Sequence, residues 1–170
     1  LRIATLLHDV GHGPLSHTTE FAMPKVETLG LESLACVPGK PCSFTEKRQA
    51  NHEDYTIKIV LQSSLTPVLK KALSHLGIEP IHIACIIYED IVCPDDFFNV
   101  NGIDYRPILH QIVSSEIDVD RMDYLMRDSF HAGVSYGKFD ITWMISNLTH
   151  HIEKNKCYLA LEHKAIYTFD

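Results

Sequence analysis

Two short segments of the chain carry side chains that could hold a divalent metal ion beside a phosphate group. The first contains the adjacent residues His8 and Asp9, and the second contains Asp118 and Asp120. Imidazole nitrogen and carboxylate oxygen can share one divalent ion, and such an ion can activate water for attack on a phosphate ester. The two segments therefore predict metal-assisted hydrolysis of a phosphate ester or anhydride.

The pair His8 and Asp9 follows two leucines at the end of an apolar, helix-like segment. Adjacent residues of a helix point about 100° apart, so one ion beside the helix can contact both side chains. A buried carboxylate also needs a partner or a metal. A His-Asp dipeptide alone arises often by chance, but the longer pattern His-Asp-x-Gly-His-Gly-Pro-x-Ser-His, over residues 8–17, is specific.

The second segment predicts a helix over residues 117–131 with two chemically different sides. At about 100° per residue, four ionisable or phenolic side chains share one side: Asp120, Tyr124, Arg127 and His131. Asp128 lies at the edge of this side. The opposite side carries Met122, Leu125, Met126 and Ser129. An amphipathic helix whose polar side simply meets water is the alternative interpretation of this pattern.

Together the two patterns resemble the deoxynucleoside-triphosphate triphosphohydrolase branch of the HD superfamily of metal-dependent phosphohydrolases. The second pattern reads Asp-x-Asp-Arg-Met-Asp-Tyr-x-x-Arg-Asp over residues 118–128. The resemblance implies that His8, Asp9 and Asp120 hold a divalent ion, with manganese, iron, nickel, zinc and magnesium all open.

The family has a further histidine ligand upstream of the pair, where this chain has seven residues and no histidine. The apolar start at Leu1 lacks a helix cap, and the chain stops at Asp170 without a closing signal. We therefore expect a fragment truncated at both ends. A degenerate copy of the family site is the alternative.

The resemblance also implies roles in catalysis and in substrate binding. His12 and His17 resemble histidines at the phosphate end of the pocket, and His52 resembles the catalytic histidine, with Glu53 orienting it. A histidine with a pKa near neutrality suits proton transfer at a leaving oxygen. Ordinary turn-packing or surface roles are the alternatives for these histidines.

Three residues of the second pattern match positions that contact the nucleotide in the family. The resemblance gives Arg121 a phosphate-binding role and places Tyr124 and Asp128 at the sugar. For Asp118 we expect a cap or a supporting role.

Periodicity and turn residues predict a predominantly α chain. The predicted helices cover residues 1–10, 16–22, 44–61, 66–76, 80–90, 107–115, 117–131 and 139–152, with a loop over 24–43. Residues 156–162 are β-prone and could form one strand of a small hairpin. We expect an all-α fold, an HD-domain helical bundle in one domain over residues 1–170, with this small β-prone segment near the C-terminus.

Composition limits the classes of partner. The formal charge of −7 argues against a surface built for non-specific nucleic-acid binding. No signal peptide or long apolar run is visible, so we expect no membrane span and a cytoplasmic location. The five cysteines show no zinc-knuckle spacing and are expected to be reduced, although Cys36 and Cys42 could close a small loop.

The resemblance therefore implies a metal-dependent phosphohydrolase with a nucleotide substrate, and it also implies a homo-oligomer. Hydrolysis of a deoxynucleoside triphosphate to deoxynucleoside and triphosphate is the product pattern that the resemblance implies. Another nucleotide phosphodiesterase or nucleotidase, or a nucleotide-binding module without catalysis, is the alternative.

Overall fold

The structure, a computed structural model, describes residues 1–36 and 42–165. The chain divides into two compact units, Leu1–Phe97 and Phe98–Asp170. Part of the predicted loop at 24–43 and the last five residues of the chain lie outside the described residues. One HD domain over residues 1–170 stays a prediction.

The first unit is built from helices. They are α1 (Arg2–Leu7), α2 (His17–Glu20), α3 (Glu32–Ala35), α4 (His52–Gln62), α5 (Leu65–Leu73) and α6 (Pro80–Ile87). Short 3-10 segments cover Val26–Leu29, Ser43–Thr45 and Ser74–Leu76. Helix α4 packs against α5 and α6, and α1 packs against α6. Every residue from Pro80 to Ile87 except Ile81 is buried, so α6 is the centre of this unit's core.

Helix α4 begins eight residues later than the sequence predicts, at His52 rather than near Phe44. A capping box fixes this start, because Asn51 Oδ1 accepts from the Asp54 N–H and Asp54 Oδ2 accepts from the Asn51 N–H. The residues before the cap form extended backbone contacts instead, with the Ala50 N–H donating to the Pro24 carbonyl. These contacts compete with helix formation and shorten α4 to its observed length.

The second unit contains helices and strands. They are β1 (Asn99–Val100), β2 (Ile103–Asp104), α7 (Arg106–Val113), α8 (Val119–Ala132), α9 (Ile141–Ser146), β3 (Leu148–Glu153) and β4 (Lys156–Leu161). The strands form one mixed sheet in the order β1-β2-β4-β3, in which β2 and β4 are parallel and the other neighbours are antiparallel. Helix α7 packs against β4.

The predicted all-α fold is therefore wrong, and the described residues form a mixed α/β structure. The β-prone segment does form a strand, β4, and the expected hairpin partner is β3. Residues 148–152, expected to end a helix, pair with β4 because Lys154 and Asn155 both adopt positive φ and make the tight turn. A two-residue turn of this kind fixes the register that pairs Leu148 with Leu161.

Cys36 and Cys42 form a disulfide, so the expectation of reduced cysteines is wrong for this pair. Among the described helices, none combines the length and the apolar character that a membrane crossing requires.

Candidate functional site

The His-Asp segment is held against helix α4 by one glycine and one threonine. The Gly11 N–H donates to Thr56 Oγ1 at 3.0 Å, and the same hydroxyl donates to the His8 carbonyl at 2.8 Å. A Cβ atom at Gly11 would lie 2.0 Å from the His52 carbonyl oxygen. Glycine is therefore required here by close backbone approach, and this approach brings His8 and His52 into one site.

The geometry of His8 and Asp9 fits a divalent ion. His8 Nδ1 lies 2.7 Å from the Thr5 carbonyl, which can only accept, so Nδ1 carries the proton and Nε2 presents a lone pair. That Nε2 lies 3.4 Å from Asp9 Oδ1. Metal bonds of about 2.1 Å at tetrahedral angles place ligand atoms about 3.4 Å apart. The two donor atoms already stand at a ligand-to-ligand distance.

Next to this pair, three imidazoles surround one carboxylate. Glu20 Oε1 lies 2.5 Å from His52 Nδ1 and 3.2 Å from His17 Nδ1, and it also accepts from the His52 backbone N–H. The His12 ring stacks on the His52 ring with centroids 3.8 Å apart. His17 meets both rings edge-on. We call His12, His17, Glu20 and His52 the histidine cluster.

The cluster changes the acidity of two of its members. Burial by itself would raise the pKa of Glu20, but hydrogen bonds from His52 and His17 outweigh burial and lower that pKa below its ordinary value. Burial, together with the charge of His52, lowers the pKa of His12. A neutral His12 and an ionised Glu20 are therefore favoured at neutral pH.

The carboxylate that contacts His52 is Glu20, a residue that the sequence analysis missed. Glu53, the predicted orienting carboxylate, accepts instead from Asn51 Nδ2 at 3.4 Å. The sequence did contain one usable signal, because Glu20 follows His17 by three residues on α2, and residues three apart share a helix face.

The second unit presents the other predicted residues on α8. Asp118 caps this helix, as expected, by accepting from the Arg121 N–H at 2.7 Å. Asp120, Tyr124 and Asp128 are exposed, and the Arg121 guanidinium donates to Glu116. On the predicted opposite side Met122 and Ser129 are buried, Met126 is half-buried and Leu125 is exposed. That Asp120 joins His8 and Asp9 as a ligand stays a prediction.

Arg121 also lines a cavity of about 380 Å³ within the second unit. Its wall includes Leu125, Phe139 and the buried Met144, together with Lys138. The cavity thus combines an apolar wall with two cationic side chains.

A further group in the first unit combines His82, Cys93 and Asp95. The Glu79 N–H donates to His82 Nδ1 at 3.0 Å, so the ring proton must be on Nε2, which lies 3.1 Å from Asp95 Oδ2. A metal at Nε2 would have to displace this proton and leave the ring with no proton at all. We therefore interpret this group as a hydrogen-bonded support for the start of α6.

Comparisons with known proteins give similarity over most of this chain. No family model matches it. It is 32% identical over 140 residues to the uncharacterized protein YwfO of Bacillus subtilis, covering 81% of this chain and 23% of that protein. It is 24% identical over 169 residues to the uncharacterized protein MJ1154 of Methanocaldococcus jannaschii, covering 99% and 26%.

Two further relatives carry a functional name. The chain is 28% identical over 149 residues to the deoxynucleoside triphosphate triphosphohydrolase SAMHD1 of Homo sapiens, covering 79% of this chain and 20% of that protein. The Mus musculus protein of the same name is 27% identical over 176 residues, covering 94% and 24%. The chain spans about a quarter or less of the length of these relatives.

Proposed function

We propose that the chain carries the metal-binding and proton-transferring part of an HD-type nucleotide phosphohydrolase. The observation that carries this proposal is the contact of His52 with Glu20, next to a His8 and Asp9 pair whose donor atoms fit one divalent ion. The similarity to two proteins named as triphosphohydrolases supports the same reaction class.

The chemistry divides between an ion and the side chains of this chain. A divalent ion at His8 and Asp9, with Asp120 as a further ligand, would supply positive charge against the phosphate and lower the pKa of nearby water. The residues around this position would bind the phosphate, orient the substrate and move protons.

His52 is the proposed proton carrier. Its Nδ1–H donates to Glu20, which fixes both the tautomer and the ring orientation. Its Nε2 consequently faces the proposed metal ligands His8 and Asp9, and lies 3.9 Å from Asp9 Oδ1. A nitrogen at this place can give a proton to the oxygen that leaves phosphorus and then recover one from water.

His12 and His17 complete the phosphate end of the proposed site. His12, whose pKa is lowered, stacks on His52 and keeps that ring in place. His17 is the more exposed of the two, with 72% of its side chain accessible, and can reach toward an incoming phosphate.

The finer proposal is hydrolysis of deoxynucleoside triphosphates to deoxynucleoside and triphosphate. Arg121 would bind phosphate, and Tyr124 and Asp128 would contact the sugar. The names of the two triphosphohydrolase relatives support this substrate. A divalent ion whose identity is left open between manganese, iron, nickel, zinc and magnesium, a homo-oligomeric assembly and a cytoplasmic location belong to the same proposal.

The test is a product analysis with metal-free protein supplied with manganese, iron, nickel, zinc or magnesium, one at a time. A panel of deoxynucleoside and nucleoside triphosphates is incubated, and released triphosphate, monophosphate and orthophosphate are separated by ion-exchange chromatography. We expect triphosphate as the product, and its release should fall about 100-fold or more in Glu20→Gln and His52→Gln. His75→Gln, at an exposed histidine, is the matched control. Orthophosphate as the only product would refute the triphosphohydrolase assignment, and nucleotide binding without any turnover would refute the enzyme.

A further inference from the structure

The histidine cluster has a property that the proposed reaction does not use. One nitrogen or oxygen atom from each of its four side chains lies within 4.8 Å of every other. The members come from the turn after α1, from helix α2 and from the start of α4. Three imidazoles and one carboxylate therefore converge on a single small volume.

This donor set is one that zinc prefers. Zinc takes four ligands in tetrahedral sites and binds imidazole nitrogen and carboxylate oxygen at about 2.0–2.2 Å. Such a site needs donor atoms about 3.4 Å apart. Glu20 Oε1 and His17 Nδ1 meet this requirement at 3.2 Å. The hydrogen bond of 2.5 Å between Glu20 Oε1 and His52 Nδ1 would have to open by about 0.9 Å.

The cluster can also be entered from solvent and can adjust. The His17 side chain is 72% exposed, while those of Glu20 and His52 are 23% and 17% exposed. An exposed ligand on a short helix can rotate toward an ion at little packing cost.

We propose that His12, His17, Glu20 and His52 bind Zn²⁺ at a site separate from His8 and Asp9, and that zinc there inhibits the enzyme. The inhibitory part rests on the proposed function, because a zinc ion on His52 Nδ1 replaces the proton that this nitrogen donates to Glu20. The ring can then no longer become the imidazolium whose Nε2 proton is proposed to go to the leaving oxygen. The ion also takes Glu20 away from its hydrogen bond with His52. Zinc and catalysis therefore compete for the same two side chains.

Zinc binding is measured first, without nucleotide. Asp9→Asn removes a ligand of the other site, and zinc affinity of this metal-free variant is determined by competition with a chromophoric chelator. We expect one zinc ion per Asp9→Asn chain. Adding Glu20→Gln or His17→Gln to this background should weaken binding at least tenfold, while adding His75→Gln should leave it unchanged. Equal zinc affinity in all four proteins would overturn the site.

Two further measurements check that the variants are folded and that the bound ion has four ligands. Circular dichroism confirms that each variant is folded, and His17→Gln changes an exposed side chain. Cobalt substituted for zinc should give the visible spectrum of a four-coordinate ion, because cobalt spectra report coordination geometry. A six-coordinate spectrum in the Asp9→Asn chain would overturn the tetrahedral assignment.

Activity is measured separately, so that the two proposals can fail independently. Added zinc should stop manganese-supported hydrolysis by the wild-type chain, and a zinc-selective chelator should restore it. Hydrolysis that continues when the cluster is saturated with zinc would overturn the inhibitory part. Absence of hydrolysis with any ion would refute the proposed function, while the zinc affinities would still decide the site.

Discussion

Thr56→Val tests whether one hydroxyl group holds the His-Asp segment in place. The substitution keeps the shape of the side chain and removes both hydrogen bonds of Thr56 Oγ1, one from the Gly11 N–H and one to the His8 carbonyl. Thr56 is fully buried, so water cannot replace the lost partner. Each buried backbone group left without a partner costs about 1–3 kcal/mol. We expect a loss of about 3 kcal/mol in the free energy of unfolding.

The measurement is a urea titration followed by far-ultraviolet circular dichroism, with hydrogen exchange read by mass spectrometry on peptides from residues 1–13 and 52–62. Exchange at Gly11 should accelerate strongly. Thr28→Val is the matched control, because Thr28 also donates to a backbone carbonyl, that of Lys25, but is exposed. The control should change stability by at most about 1 kcal/mol. A Thr56→Val protein no less stable than Thr28→Val would refute the role given to this hydroxyl.

Three further predictions follow from contacts in the first unit. Arg48→Gln should destabilise the unit by about 3 kcal/mol in the same titration, because it leaves the fully buried Asp54 without its bidentate partner. The control is Lys70→Gln, which breaks only an exposed ion pair with Glu79. It should change the free energy of unfolding by about 0.5 kcal/mol or less. Gly11→Ala should lower the free energy of unfolding by about 3 kcal/mol or more, because the added Cβ collides with the backbone of α4. The control is Gly30→Ala, at φ 71° in open space, which should lower it by about 1–2 kcal/mol. Equal losses in the two variants would contradict the close approach of Gly11 to the His52 carbonyl. Because the folded-state pKa of Glu20 lies below its ordinary value of 4.5, its contribution to stability is complete above that pH and disappears as the pH falls through the lower folded value. Unfolding midpoints measured across this acidic range should fall less steeply in Glu20→Gln.

Helical periodicity located α7 and α8 closely, whereas the segment predicted as one helix over 139–152 forms α9 and strand β3. Helix α8 covers Val119–Ala132, close to the predicted 117–131, and its cap at Asp118 is visible as a local pattern. The sheet was not predictable in the same way. Strands β1 and β2 have only two residues each, too few to show alternation, and β3 depends on a turn at Lys154 and Asn155.

The candidate site was likewise predictable only where its residues lie close together in the chain. His8, Asp9 and His12 are close in the chain, so one sequence pattern contains all three. The contact between Glu20 and His52 joins residues 32 positions apart, and no local spacing records it. Asn51 and Asp54 form a capping box of familiar residue types, yet the helix was predicted to begin eight residues upstream of His52.

The parallel pairing of β2 with β4 has a consequence for how the second unit folds. Asp104 and Lys156 are sheet partners, so a loop of roughly fifty residues must close before the sheet is complete, and the entropy cost of closure grows with loop length. Helix α7 packs on β4, where the Leu159 N–H donates to Gln111 Oε1, and α7 in turn contacts α8. During synthesis on a ribosome, α8 therefore gains its final support only after the hairpin has emerged.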